Sequence, residues 1–356
     1  MARLDELLRS LKSRGGSDLH LAADLAPRIR VSGHLTPLDI PPPSDAELRA
    51  WLREIAPPEA WTAFDRDHDA DFAYGLEGVA RFRANYFVQE RGAGAVLRII
   101  PEKILTLEDL RLPPVIETLA HLRNGLVLVT GPTGSGKSTT LAAIIDRINT
   151  TYAKHIVTIE DPIEFVHPPK KSTFSQREVG RHTSSFAGAL RAAIRQNPDI
   201  ILVGEMRDRE TIALAITAAE MGVLVFGTLH TNSAAKTVDR LIDAFPAADQ
   251  DQIRISLSES MAAIVSQLLL RTVDGKGRVA INEILLRTSA LPNVIREGNT
   301  PMLSSIIAGG RAIGMQTMDD ALFDAASKGL CAPRDAQMKA LDKQRFDKLI
   351  PRDEQT

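Results

Sequence analysis

The chain has 356 residues, 44% of them apolar, a length that suits two domains rather than one and supplies a core for each. Its 43 Lys and Arg stand against 45 Asp and Glu, so composition offers no basic footprint for nucleic acid or an anionic membrane. The single cysteine, Cys331, excludes an internal disulfide and a tetracysteine zinc site, and fits a reducing cytoplasmic location.

Leu4, Leu7, Leu8 and Leu11 recur at helical spacing, so residues 1–16 read as an amphipathic helix and not as a secretion signal. Between residues 18 and 40, DLHL, PRIRVSG and HLTPL read as short strands of a small sheet. The prolines at 41–43 end that sheet, and Ser44 with Glu47 forms a capping box for a helix through Ala50, Trp51 and Leu52. Residues 69–100 return to strand character, with ARFRANYFVQ and AVLRIIP joined by a glycine-rich turn at 91–94. The expected division is an α+β domain over 1–100, a linker over 101–114 bracketed by Pro101 and the pair Pro113 and Pro114, and a second domain over 115–356. In that second domain GLVLVTG, HIVTIED, DIILVGE and VLVFGTLH alternate with helical stretches, which predicts an α/β fold with a mainly parallel sheet covered on both faces. Beyond residue 233 the chain reads as helical apart from a strand at VAINEILL, and the terminal PRDEQT reads as unstructured. No apolar run approaches the ~18–20 residues of a spanning helix, so direct membrane insertion is not expected.

GPTGSGKST at 131–139 fits the pattern G-x-x-x-x-G-K-[ST] and lies where that pattern works, between the strand GLVLVT and the helix KSTTLAAIIDRI. Gly131, Gly134 and Gly136 let backbone amides turn inward around phosphates, and the helix N-terminus directs its dipole at the same charge. Thr133, Ser135 and Thr139 complete the expected nucleotide-contacting set. Lys137 is placed to bridge β- and γ-phosphates and the Ser138 hydroxyl to bind Mg²⁺, so the expected cofactors are ATP and Mg²⁺.

Three later strand ends refine this. DIILVGE is an apolar strand ending in an acid, but Gly204 stands where many P-loop proteins carry a magnesium-linked Asp. Glu205 is then the carboxylate able to polarise the attacking water. TIEDPIEF at 158–165 ends in Glu160, Asp161 and Glu164, of which Glu164 is the candidate for the metal side. His230 ends VLVFGTLH, placed to donate to a γ-phosphate. Residue by residue the bland alternatives stay open: a helix-capping Glu205, a solvated Glu164, a structural His230.

The blocks GPTGSGKSTT, TIEDPIE, ILVGEMRD and GTLHTNSA occur together in one order. That set resembles the secretion-type ATPases of pili and type II secretion, where it is called Walker A, Asp box, Walker B and His box. The Gly-Glu form of Walker B is usual there. SDLHL, RFRANYF, QREVG, LSESMAAIVSQ and GMQTMDDAL extend the similarity over nearly the whole chain, toward the twitching-motility or retraction branch. The resemblance implies a RecA-like P-loop ATPase domain preceded by a small α+β, PAS-like domain. It assigns Lys137 and Ser138 to ATP and Mg²⁺, Glu205 to water activation, Glu164 to the metal-side acid and His230 to γ-phosphate sensing. It also implies that N-terminal arginines reach the nucleotide; Arg81, Arg83 and Arg98 occupy the matching strands, and Arg81 and Arg83 alternate onto one strand face.

Further implications of the resemblance are a homohexameric ring, hydrolysis coupled to domain rotation, and a cytoplasmic position peripheral to the inner membrane, where a pilus platform protein is the partner. The implied function is ATP-driven retraction of type IV pili. ALPNVIRE at 290–297 stands where retraction ATPases carry an AIRNLIRE-like stretch, with Pro292 at an arginine-like position. The alternative is therefore an accessory or paralogous motor with a different force direction. The tetracysteine insertion typical of the extension and secretion branch is impossible with one cysteine. A ring-shaped nucleic-acid translocase is opposed by the neutral composition, and a regulator that only binds nucleotide by the intact Lys137, Ser138 and Glu205.

Overall fold

The leucine stripe of RLDELLRSLKS is buried along α1 (Arg3–Ser13) in the computed structural model, which describes residues 2–31, 33–100 and 103–350. Residues 101 and 102 of the expected linker and the terminal PRDEQT lie outside the described residues. Contacts divide the chain into two units, Met1–Lys103 with Pro162–Val166, and Ile104–Asp161 with His167–Thr356. Leu107 and Leu112, inside the expected linker, are buried in a core of the second unit.

In the first unit α1 leads to β1 (Asp18–Ala22), β2 (Leu25–Val31) and β3 (His34–Pro37), then α2 (Asp45–Ile55) and α3 (Pro58–Asp67), then β4 (Asp69–Leu76), β5 (Ala80–Gln89) and β6 (Gly92–Ile100). The six strands form one antiparallel sheet in the order β3-β2-β1-β6-β5-β4. The capping box at Ser44 and Glu47 is present, with both reciprocal hydrogen bonds. Sequence reading misses α3, which opens at Pro57 and Pro58 and ends at His68 in the left-handed region. The glycine-rich turn is also displaced: Gly92 and Gly94 belong to β6. A Cβ on Gly94 would lie 2.5 Å from the Phe87 ring, and one on Gly92 would lie 2.3 Å from the Asp45 carboxylate, which accepts the Ala93 N–H at 2.6 Å. Gly94 answers close approach alone, whereas Gly92 answers both close approach and a positive φ of 117° beside the turn.

Strand alternation sends Ala80, Phe82, Ala84 and Tyr86 into the core with the leucines of α1 and α2, leaving Arg81 and Arg83 on the other face. Arg98 stands opposite Arg83 in the β5–β6 register, and Asp18 stands opposite Arg98 in the β1–β6 register. Arg98 Nε donates to buried Asp18 at 2.6 Å, Arg30 approaches the same carboxylate at 3.7 Å, and Arg83 lies 3.7 Å from Asp71.

The second unit holds α4 (Val115–Thr118), β7 (Gly125–Thr130), α5 (Lys137–Thr151), β8 (His155–Glu160), β9 (Thr173–Glu178), α6 (Phe186–Ala193), β10 (Ile200–Val203), α7 (Arg209–Glu220) and β11 (Leu224–Leu229). There follow α8 (Ala234–Asp243), α9 (Ala247–Ser260), β12 (Met261–Arg271), β13 (Arg278–Leu286), α10 (Leu291–Arg296), α11 (Leu303–Gly309), α12 (Met318–Ser327) and α13 (Pro333–Lys339). Seven strands pair in the order β13-β12-β7-β11-β10-β8-β9, parallel throughout except for β13 against β12. Val127, Val129, Ile200 and Phe226 pack on one face, Leu126, Leu128, Ile201 and Val225 on the other, which is why these strands read as unbroken apolar runs.

One strand corrects the sequence reading and a second adds to it. MAAIVSQLLLR is β12 and not helix, because an apolar run without alternation fits either state and burial between β7 and β13 decides it. TFSQRE forms the edge strand β9. Pro292 sits in the first turn of α10, where a missing N–H is harmless. Among the described residues no helix is long and apolar enough to cross a membrane.

Burial disfavours the charged form of Asp18, but hydrogen bonds from Ser17 and Arg98, with the charges of Arg98 and His20, outweigh it and hold the carboxyl below its ordinary range. A carboxyl lowered in this way adds stability above its unfolded pKa and loses it as pH falls through the folded one. Asp18→Asn is expected to cost about 1–3 kcal/mol near neutral pH, with the gap to wild type closing below about pH 4, as urea unfolding at both pH values would show.

Candidate nucleotide-binding site

Parallel pairing brings the C-terminal ends of β7, β11, β10 and β8 side by side, so the loops that follow them share one edge of the sheet. After β7 the loop at 131–136 turns through positive φ at Gly131 (146°), Gly134 (79°) and Gly136 (84°) into α5. A Cβ on Gly131 would lie 2.2 Å from the Gln267 carbonyl oxygen, and one on Gly136 would lie 2.9 Å from Gln267 Nε2. Glycine is required at both by conformation and by space. Gly131 N–H donates to Leu229 O at 3.3 Å, tying the loop to the end of β11.

Lys137 is buried, and its Nζ donates to the carbonyls of Gly131 (2.9 Å) and Pro132 (3.1 Å), so the ammonium already faces the loop interior. Thr133 and Gly134 are exposed at the tip, Ser135 is buried, and Ser138 and Thr139 are half-buried in the first turn of α5. Gln267 on β12, which sequence reading passed over with its strand, donates to Ser135 O at 2.6 Å and accepts from Thr140 at 2.8 Å and Asn282 at 3.0 Å. A cleft of about 510 Å³ opens beside the loop, walled by Leu105, Arg111, Gly136, Thr139, Gln267 and Arg278 among others.

At the end of β10, Gly204 N–H donates to Ile159 O at 2.8 Å. A Cβ at 204 would lie 3.1 Å from that oxygen and 3.2 Å from Glu160 Cα. A side chain there would press on β8, which favours glycine where an Asp is common and leaves the next residue to carry the acid. Glu205 Oε1 lies 3.1 Å from His230 Nε2, and its Oε2 accepts from Arg207 at 2.6 Å. Burial opposes the Glu205 charge, but the hydrogen bond and charge of Arg207, with smaller help from His230 and Lys137, prevail and lower its pKa. Arg207 lies in the quoted ILVGEMRD block, yet no sequence signal marked it as the partner of Glu205.

Glu160 accepts from Thr158 at 2.7 Å and from Gln176 of β9 at 3.4 Å. Glu283 on β13, also unmarked in sequence, accepts the N–H groups that open two helices, Ala234 of α8 at 2.8 Å and Met318 of α12 at 3.4 Å. Burial raises its pKa despite those bonds. The P-loop, Lys137, Glu205 and His230 thus belong to one unit and one sheet edge. Glu164 falls within Pro162–Val166 and is grouped with Arg81, Arg83 and Arg98 in the first unit.

A family model described as Type II/IV secretion system protein matches residues 68–318. The type IV pilus retraction ATPase PilT of Pseudomonas aeruginosa is 51% identical over 337 residues, which are 95% of this chain and 98% of that one. A twitching motility protein of Neisseria gonorrhoeae is 49% identical across 94% of this chain and 89% of its own. The crystal structure of the pilus retraction motor PilT with bound ADP matches with a TM-score of 0.89 at 42% identity, covering 97% of this chain and 99% of that one.

The tight contact at Gly204 has a measurable consequence. Gly204→Ala should lower stability by about 1–3 kcal/mol, the usual penalty for overpacking, and thermal unfolding of the pure protein reads it. A melting point equal to wild type would mean that β8 yields at no cost.

Proposed function

The chain belongs to the type II/IV secretion ATPase family, in its pilus-retraction branch, and from that premise we infer that it is an ATP-hydrolysing motor that retracts type IV pili. The observation that carries this reading is the meeting of Glu205 with His230 at the sheet edge that also carries the P-loop and Lys137.

The loop fits a polyphosphate on its own geometry: Gly131 and Gly136 leave no room for side chains, and Lys137 is held facing inward. ATP is the nucleotide, its phosphates taken by residues 131–139 and its nucleoside by the adjoining cleft. Mg²⁺ would be held by Ser138 and Glu164 and would supply neutralisation of phosphate charge. Glu205 accepts the proton of the attacking water. In the structure that carboxylate is held by Arg207 and His230. A shift of His230 from Glu205 Oε1, 3.1 Å away, to a γ-phosphate oxygen would release that carboxylate oxygen toward water, so hydrolysis waits on a correctly bound triphosphate.

Arg81, Arg83 and Arg98 are the arginines that stabilise charge on the transferring phosphoryl group, an effect that reaches ~10³ to 10⁵ in rate for such residues. A homohexameric ring bound to an inner-membrane pilus platform protein turns domain closure into filament disassembly. This places the motor in the cytoplasm, peripheral to the membrane. Pro292 favours a second reading, an accessory or paralogous motor acting in another direction, since it replaces a charged position in the branch pattern.

Glu205→Gln is expected to retain ATP binding while turnover falls about 100-fold or more, the usual worth of a positioned base. Equal turnover in a steady-state assay would remove Glu205 from the mechanism. Deleting the gene should give excess surface pili with no twitching; loss of pili would indicate extension, and unchanged pili with normal twitching an accessory role.

A further inference from the structure

A phosphate cradle works only if its peptide N–H groups face inward, and in a planar trans peptide the carbonyl on the same plane then faces outward. In the Ser135–Gly136 peptide, the Ser135 oxygen is taken at 2.6 Å by Nε2 of Gln267. The opposite end of that plane, the Gly136 N–H, therefore points away from Gln267. Gly136 has φ of 84°, and a Cβ there would lie 2.9 Å from Gln267 Nε2, so backbone and side chain are in direct contact.

The Gln267 amide is itself fixed. It is 1% exposed, and its Oε1 accepts from Thr140 Oγ1 at 2.8 Å and from Asn282 Nδ2 at 3.0 Å. A flipped amide would set its NH₂ against the Asn282 donor and its oxygen against the Ser135 carbonyl, so only the observed orientation satisfies these groups. Thr140 belongs to α5, whereas Gln267 and Asn282 belong to β12 and β13.

We propose that Gln267 is a positioning residue for the phosphate site: its carboxamide, oriented by Thr140 and Asn282, locks the Ser135–Gly136 peptide with the Gly136 N–H facing the cradle. This rests on the nucleotide reading above. The role is preorganisation: without the strap, binding phosphate must first order that peptide.

The test uses the full chain, a fluorescent ADP and steady-state ATP hydrolysis. Gln267→Met keeps length and apolar bulk but removes the carboxamide. It is expected to raise the Kd for the ADP probe and the KM for ATP about three- to tenfold, with kcat falling less than KM rises, since a lost neutral hydrogen bond is worth about that much. Asn282→Ala and Thr140→Val each remove one of the two groups that orient the amide, and should raise Kd about threefold. They carry the test if Gln267→Met does not fold. A merely structural role would lower kcat and binding stoichiometry while the folded remainder kept wild-type Kd and KM; that result, or wild-type behaviour of the variants, overturns the proposal. Absence of ADP binding by the wild type would instead overturn the nucleotide reading, and this inference with it.

Discussion

Four adjacent parallel strands, β7, β11, β10 and β8, hold the candidate chemistry in place through their hydrogen-bonded register. Lys137, His230, Glu205 and Glu160 each lie at or beyond the end of a different strand. Their spacing is set by the ladder, because both faces of the sheet are buried and a one-residue slip would exchange the residues on the two faces. Bonds beyond the ladder extend this order into the loops: Met206 N–H donates to Thr228 O at 3.0 Å, and the Thr228 hydroxyl donates to Gly204 O at 2.5 Å. The loops that carry Glu205 and His230 are consequently built on one another.

Electrostatics at that edge follows from the packing. Arg207, His230 and Lys137 all favour the ionised form of Glu205. A carboxylate held in this way is a weaker base than a free one and stays ionised to lower pH. Lys137 likewise has carbonyl partners that phosphate oxygens would replace. Both groups thus have partners in the structure and need not be drawn into the site from solvent.

Much of this was legible in sequence where a residue's role is local. The P-loop glycines signal positive φ, and Ser44 with Glu47 signals a cap; both depend on neighbours only a few residues away. Apolar runs ending in Gly or an acid pointed to the parallel strands and their functional ends. What stayed hidden depended on distant packing. Strand β12 looked helical because its pattern lacks a period, and Gln267 was hidden with it. Gly204 looked anomalous until the approach of Ile159 and Glu160 from β8 explained it. Glu283 carries no motif, since its two acceptor bonds join helices 84 residues apart in sequence, from Ala234 to Met318. Glu164 read as one of three neighbouring acids, but contacts group its short segment with the first unit.

That segment has a topological consequence. Because Pro162–Val166 groups with the first unit while Asp161 and His167 group with the second, the backbone passes between the units after Lys103, after Asp161 and after Val166, three times in all. Two bodies joined by one strand of chain can swivel about it in any sense. Three covalent connections close the path of the chain into loops, each with a backbone reach of about 3.3–3.6 Å per residue. The middle excursion is separated by Asp161 alone from the end of β8, the strand that bears Glu160. In such an arrangement the two units are linked through the covalent chain at three points rather than one.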